Sequence, residues 1–319
     1  MDTSNFIYEL EKRFIAQEPL SDRDRCKLLL FDREKERVEH CIFSDIKDIF
    51  WPSDLLILND SKVIPARLIG EIELLLLREI EKDIWEILAK PRKKARVGAK
   101  FNFGKLSCKI ISKTLPLMAR FEYIGDFYSI LKDVGKPPLP PYVKRKAQER
   151  DEESYQTVYA RKLGSVAAPT AGLHFTKELL ESLREKGVDI KFITLNIGPG
   201  TFQKPKDGKM DKEYCEIEKE TAEAIKNKKR LVACGTSVVR CLESQEKIEE
   251  GSFWTEIFIY PGYKFKWIDS LLTNFHLPAS PPFIMTSAFV GLPRLKWLYE
   301  EAKAKGYRFA SYGDAMLIV

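Results

Sequence analysis

Histidine is scarce and cysteine is scattered in this 319-residue chain: three of one and six of the other. Cys26, Cys41, Cys108, Cys215, Cys234 and Cys241 lie far apart, with no Cys-x-x-Cys pair and no His-Glu-x-x-His. That spacing argues against structural zinc, iron–sulfur clusters and metalloprotease chemistry, and predicts reduced, mostly buried thiols and no metal. No apolar run approaches the roughly 20 residues that cross a bilayer, so no membrane partner is expected. The opening Met1-Asp2 starts neither a basic nor an apolar leader, which makes the cytoplasm the expected location. No Gly-x-Gly-x-x-Gly follows a strand pattern and no Gly-x-Ser-x-Gly elbow is present. Gly98, Gly104 and Lys105 imitate a phosphate loop, but one residue too many separates the glycines and Leu106 stands where a hydroxyl is needed. Charge of one sign is also lacking: 53 basic against 47 acidic residues give +6, which permits a polyanionic partner without requiring one.

What is present divides by texture. Residues 69–141 hold short runs of β-formers at 84–88, 100–103, 107–111 and 118–123, broken by Gly, Pro and Lys turns, and end in Pro137-Pro138-Leu139-Pro140-Pro141. Closely spaced short strands predict a small β-barrel, and the proline segment a stiff boundary. The flanks alternate differently. Thr176 caps a helical pattern with Leu179, Leu180 and Leu183 on one face. Strand patterns follow at 188–195, 230–234, 256–260 and 315–319, and helical ones at 216–228, 237–243 and 295–305. With strands at 26–32 and 54–58, the prediction is an α/β core domain (residues 1–68 and 142–319) carrying an inserted small β-barrel domain (69–141).

Candidate site residues sit where strands of the core should end, the usual place for ligands in α/β sheets. The segment 164–176 contains Gly164 and Gly172 and leads into a helix start suited to an anion. Asn196, Gly198, Gly200 and Thr201 belong to a turn of two glycines around a proline, where a ligand can approach the backbone. Thr236 and Arg240 follow Cys234-Gly235, and Asn274 stands beside His276 in LTNFHLP. His174 and His276 fall in loops rather than in apolar faces, which makes them candidates for proton transfer; His40 has the surroundings of a surface residue. Asp60, Glu213 and Asp314 are candidate orienting or binding carboxylates, although a single carboxylate is commonly a cap or an ion-pair partner. Lys90, Arg92, Lys93, Lys94 and Arg96 form one basic tract and Lys144 and Arg145 another; a solvated face is the ordinary explanation, and a phosphate-backbone track is the functional one.

Several long motifs occur together: DLLILNDSKVIPARL (54–68), YQTVYARKLGSVAAPTAGLHFT (155–176), NIGPGTF (196–202), MDKEY (210–214), CGTSVVRCLES (234–244), IYPGYKFKWIDSLLTNFHLP (259–278) and YGDAMLI (312–318). They resemble the S-adenosylmethionine:tRNA ribosyltransferase-isomerase family of queuosine biosynthesis. The resemblance implies that S-adenosylmethionine is a co-substrate whose ribosyl moiety is transferred and isomerised onto 7-aminomethyl-7-deazaguanine at the tRNA wobble position. The products would be epoxyqueuosine-tRNA, adenine and methionine. It also implies a cytoplasmic, monomeric enzyme without a metal. Two positions depart from the family pattern: Asn196 and Asp211 stand where histidine is frequent, which shifts weight onto His174 and His276.

The implied reaction needs a base for a C5′ hydrogen acidified by the sulfonium, a donor to departing adenine, anchors for the methionine carboxylate and ammonium, and a site closed to water. Tyr142, Phe202, Tyr260 and Tyr263 are available to stack an everted base. Two other functions share these features. An S-adenosylmethionine-dependent RNA methyltransferase would need a glycine-rich first loop that is missing here, and a non-catalytic RNA-binding module would leave the polar loops without a purpose.

Overall fold

The computed structural model describes residues 4–112, 114, 116–198 and 208–319. Four strands open the chain: β1 (Lys27–Asp32), β2 (Arg37–Ile42), β3 (Asp54–Asn59) and β4 (Ser61–Val63). Seven follow: β5 (Arg67–Ile69), β6 (Glu73–Glu81), β7 (Ile84–Lys90), β8 (Lys100–Phe103), β9 (Leu106–Ile110), β10 (Leu117–Glu122) and β11 (Gly135–Lys136). The remainder are β12 (Lys162–Ser165), β13 (Asp189–Leu195), β14 (Glu213–Ile217), β15 (Arg230–Cys234), β16 (Gly251–Thr255), β17 (Ser270–Asn274) and β18 (Ala315–Ile318).

A nine-stranded mixed sheet runs β16-β14-β13-β3-β15-β17-β18-β1-β2. Its centre, β13-β3-β15-β17, is parallel, and β14 and β18 pair antiparallel on either side of that centre. β3 is buried along its whole length, as a central parallel strand covered on both faces must be. The two faces feed different cores by strict alternation: Leu55 and Ile57 enter one cluster, Leu56 and Leu58 the other. Each such leucine contributes about 1.5–3 kcal/mol of burial.

The helices that matter for the site begin at strand ends. Thr176 Oγ1 accepts from Leu179 N at 3.1 Å and starts the helix Lys177–Glu185, as its sequence predicts. Gly235, at φ +92°, turns β15 into the helix Thr236–Glu243. Ser280 caps the helix Pro281–Val290, whose leading prolines lose no needed N–H; Gly291 then separates it from Leu292–Ala304.

Residues of the proline-bounded middle region form a separate seven-stranded antiparallel sheet, β11-β5-β6-β7-β10-β9-β8, with its own core around Leu74, Trp85, Ile87 and Phe121. The sheet is curled into a half-barrel whose edge strands β11 and β8 have no further strand partner among the described residues, where a small β-barrel was expected. A register shift between Leu76 and Arg78 leaves Leu77 without a cross-strand partner and brings Arg78 opposite Glu86, and all three residues Leu77, Arg78 and Glu86 line the space facing the larger sheet. Two sequence expectations in the core also shift. The strand expected at 256–260 lies at Gly251–Thr255, and the helix expected from 216 starts at Lys219, because Glu213–Ile217 is taken up as β14 between β13 and β16. Tertiary pairing overrode local helix propensity there.

Candidate active site

The carboxyl ends of β3, β13, β15 and β17 and the amino end of β18 all open on one edge of the large sheet. Asn59, the last residue of β3, ties this edge together. Its Oδ1 accepts from Leu195 N at 3.0 Å and Ser61 N at 3.1 Å, while its Nδ2 donates to Leu195 O at 3.0 Å and Ser237 Oγ at 3.1 Å. The loop after β13 is held similarly, with Ile197 N donating to Ser165 Oγ at 2.7 Å. Gly164 lies beneath it at φ +143°, a conformation that favours glycine, and a Cβ there would stand 2.4 Å from Asn196 Nδ2 and push that amide aside.

Two hollows adjoin at this edge. The first is a cavity of about 330 Å³, within the size range of small-ligand sites. Its walls include Thr236, Arg240, Asn274 and His276, with Ala167–Ala171, the stretch 257–259 and Ser280 at the mouth of its helix. The second, about 590 Å³, lies between the two sheets. On one side stand Arg78, Glu86, Leu88 and Tyr128; on the other Gly164, Asn196, Gly198, Glu213, Tyr214 and Trp254. Ile197 lines both.

A buried ion pair bridges the partition. Glu213, 3% exposed, accepts from Gly198 N through Oε1 at 2.8 Å and from Arg240 Nη1 through Oε2. Burial raises the Glu213 pKa and Arg240 opposes the shift. Arg240 Nε reaches Ile257 O at 3.4 Å, whereas the buried Nη2 has no partner among the described residues. An unsatisfied guanidinium N–H at a cavity wall is a ready partner for a carboxylate.

The two candidate histidines occupy different places. His276 is half-buried in the wall of the smaller cavity, its Nε2 2.8 Å from Thr273 Oγ1 and its own N–H bonded to Tyr299 Oη. Burial pushes its pKa down to about 3, so the ring is neutral at ordinary pH and takes up a proton only against that shift. His174 is 5% exposed and borders a separate recess beside Cys26, Arg308 and Tyr312. Burial, reinforced by the charges of Arg308 and Arg23, lowers its pKa to about 3. Its Nδ1 is 3.1 Å from Cys26 Sγ and its Nε2 is 3.1 Å from Asn274 Nδ2.

The carboxylates Asp60 and Asp314 are occupied on both oxygens. Asp60 accepts from Arg161 Nε and Nη2 at 3.0 and 2.8 Å and from Thr194 Oγ1 at 2.7 Å. Asp314 accepts from Lys27 N at 3.1 Å and Arg308 N at 2.7 Å, locking the start of β18 against β1. Gly172 lies in the 170–174 turn, where a Cβ would collide with Tyr159 Oη. Gly200, Thr201 and Phe202 lie outside the described residues.

The basic tract Lys90, Arg92, Lys93, Lys94 and Arg96 is exposed at the end of β7, along the same hairpin that lines the larger hollow; Lys94 Nζ reaches Glu71 O at 3.0 Å. Lys144 is exposed, but Arg145 is engaged with the fully buried Asp151 at 2.6 and 2.7 Å. Among the stacking candidates, Tyr142 lines the smaller cavity, Tyr260 is half exposed and Tyr263 Oη donates to Glu243 O at 3.0 Å. Sequence reasoning missed Arg78 and Trp254. The guanidinium lies 5.6 Å from the half-exposed indole, donates to both Glu86 oxygens at 3.1 Å, and keeps a buried Nε without a partner among the described residues. A tryptophan at an outward strand position was the one available signal.

Among the described residues no group of three or more His, Cys, Asp or Glu is arranged to hold a metal, and no helix is long and apolar enough to cross a membrane. The model of the queuosine biosynthesis protein family matches residues 3–318. The S-adenosylmethionine:tRNA ribosyltransferase-isomerases of Clostridioides difficile and Thermoanaerobacter sp. are 45% and 46% identical, each over the whole of both chains. A crystal structure of S-adenosylmethionine tRNA ribosyltransferase from Thermotoga maritima is 34% identical, with a TM-score of 0.59, over 99% of this chain and 100% of that one. The chain, matched from end to end, belongs to the queuosine biosynthesis protein family.

Proposed function

We propose that this enzyme transfers and isomerises the ribosyl moiety of S-adenosylmethionine onto 7-aminomethyl-7-deazaguanine at the tRNA wobble position, giving epoxyqueuosine-tRNA with release of adenine and methionine. The observation that carries the proposal, beside the family match, is the pair of adjoining hollows that share Ile197 and are linked by Glu213 and Arg240. A reaction between a small sulfonium nucleoside and a base presented by a large RNA needs two such compartments with a common wall. The domains are a core of residues 1–68 and 142–319 and an inserted unit of 69–141 whose first strand, β5, begins two residues earlier at Arg67, and the enzyme works as a cytoplasmic monomer.

S-adenosylmethionine occupies the smaller cavity. Arg240 Nη2 holds its carboxylate, with Glu213 fixing the guanidinium from behind. The N-terminal N–H groups of the helix beginning at Thr236 add positive potential at the same wall. His276 accepts the C5′ proton; adenine leaves with the bond pair and takes up a proton. The pair left on C5′ opens the C4′–O bond, and the ring oxygen becomes the C1′ carbonyl as adenine departs. The tRNA amine adds to C4′ and gives up one proton, and the pair returned to C5′ closes on C1′. The resulting oxygen displaces methionine from C5′ as a neutral thioether to form the epoxide. The apolar walls around His276 exclude water from the intermediate. Asn196, Gly164 and Gly198 supply contacts from the shared edge. Gly172, Asp60 and Asp314 act at a distance by holding the loops that form the edge.

The everted base enters the larger hollow and stacks against Trp254, beside Arg78. Lys90, Arg92, Lys93, Lys94 and Arg96 carry the backbone of the anticodon loop along the hairpin, and Arg145 steadies the segment that presents Lys144. Incubation with labelled S-adenosylmethionine and tRNA bearing the aminomethyl base tests the proposal. Free adenine and methionine in equal amounts are expected; S-adenosylhomocysteine would reveal a methyltransferase, and no product from a folded enzyme would leave a binding module.

A further inference from the structure

We propose that Asn274 receives an amino N–H of S-adenosylmethionine on its Oδ1, and that His174 is a positioning residue which fixes the Asn274 carboxamide for that contact. The inference rests on the assignment of the smaller cavity to S-adenosylmethionine.

Asn274 ends β17 and lines that cavity, yet it is only 2% exposed. Its Nδ2 has three acceptors around it: His174 Nε2 at 3.1 Å, Ala310 O at 3.5 Å and Asp314 O at 3.5 Å. Turning the amide over would set Oδ1 against two carbonyl oxygens, so the orientation is fixed by repulsion as well as by bonding. The consequence falls on Oδ1, which is buried and has no donor among the described residues. A buried acceptor without a partner costs about 1–3 kcal/mol. Such a cost, at the wall of a cavity, is offset when a guest brings the donor.

His174 suits the task of holding Asn274 and is poorly placed for proton transfer. Because Nδ2 can only donate, His174 Nε2 must accept; the ring proton then sits on Nδ1, facing Cys26 Sγ at 3.1 Å. The ring also packs on Phe43 at 5.1 Å between centroids. Both nitrogens are occupied, and the imidazole does not line the cavity.

The proposed donor is an amino group, and a ribose hydroxyl in its place would overturn the proposal. S-adenosylmethionine carries two, the exocyclic amine of adenine and the α-ammonium of methionine, and two analogues separate them: one with purine in place of adenine, one without the α-amino group. With the full-length enzyme, Asn274→Ala is expected to weaken S-adenosylmethionine binding about 3–10-fold if the partner is the neutral amine, and by about 10–100-fold if it is the ammonium. The analogue lacking the contacted group should bind wild type and Asn274→Ala equally, while the other still tells them apart. His174→Leu should raise KM for S-adenosylmethionine nearly as much as Asn274→Ala and add nothing to it in the double variant. His174→Gln, which can offer an amide oxygen near the place of Nε2, should recover most of that loss. The proposal is overturned if wild type binds S-adenosylmethionine and both analogues alike. It is also overturned if Asn274→Ala binds normally, or if His174→Gln keeps KM but loses more than about a thousandfold in kcat, the mark of a proton-transfer residue. Failure of wild type itself to bind S-adenosylmethionine would instead defeat the assignment of the cavity, and this inference with it.

Discussion

Replacing His174 with Gln should change the pH dependence of folding in a calculable way. The imidazole is neutral in the folded protein with a pKa near about 3, against the ordinary 6.5 of an unfolded chain. Because the folded value is the lower one, the unfolded chain takes up a proton first as pH falls. Stability present above about pH 6.5 is therefore lost progressively toward pH 3. Between pH 7 and pH 5 the unfolded state goes from about one-quarter to almost full protonation at this position while the folded state takes up almost none, which removes about 2 kcal/mol. Urea unfolding midpoints of wild type and His174→Gln, followed from pH 8 to pH 5, isolate the effect, since His276 and every carboxylate are common to both. Wild type should lose about 2 kcal/mol more than the variant over that range. Parallel curves would mean that His174 keeps an ordinary pKa in the folded state. Its burial against Cys26, Phe43 and Asn274 would then not describe the protein, and a role in proton transfer would regain its footing.

Arg240→Leu should raise KM for S-adenosylmethionine by about 10–150-fold through loss of a charged hydrogen bond, and thermal unfolding should show a destabilisation of about 3–5 kcal/mol from the isolated buried Glu213. Adding Glu213→Met should recover much of the stability but not the affinity. Charge reversal at Lys93 and Lys94 together should weaken tRNA binding and flatten its dependence on salt, leaving S-adenosylmethionine binding unchanged in equilibrium titrations. Trp254→Ala should cost about 1–3 kcal/mol of tRNA binding, visible as a raised KM for tRNA at constant KM for S-adenosylmethionine.

Much of the fold was legible because its elements follow local rules. The fully buried β3 with its apolar centre Leu55–Leu58, the Thr176 cap and the Gly235 turn state their structure in a few residues each. β14 was hidden, since its last two residues, Glu216 and Ile217, read as the start of a helix and are taken up by strand pairing with β13 and β16. How far the smaller sheet closes was hidden too, because closure depends on tilt and register that no short run encodes. In the candidate site, the polar loops at strand ends announced Thr236, Arg240, Asn274 and His276. What each side chain does was not legible. Arg145 and Asp60 look like free charges in sequence and are committed to Asp151 and Arg161 in space. Arg78 owes its place to a bulge, and His174 to a neighbour a hundred residues away in the chain.

A crystal structure with S-adenosylmethionine bound tests the central claim most directly. Its carboxylate should lie on Arg240 Nη2, an amino N–H on Asn274 Oδ1 and C5′ nearest His276, with the ribose directed toward Ile197 and the hollow between the sheets. Binding in the recess beside Cys26 and Arg308, or anywhere that leaves Arg240 and Asn274 without a partner, would contradict it.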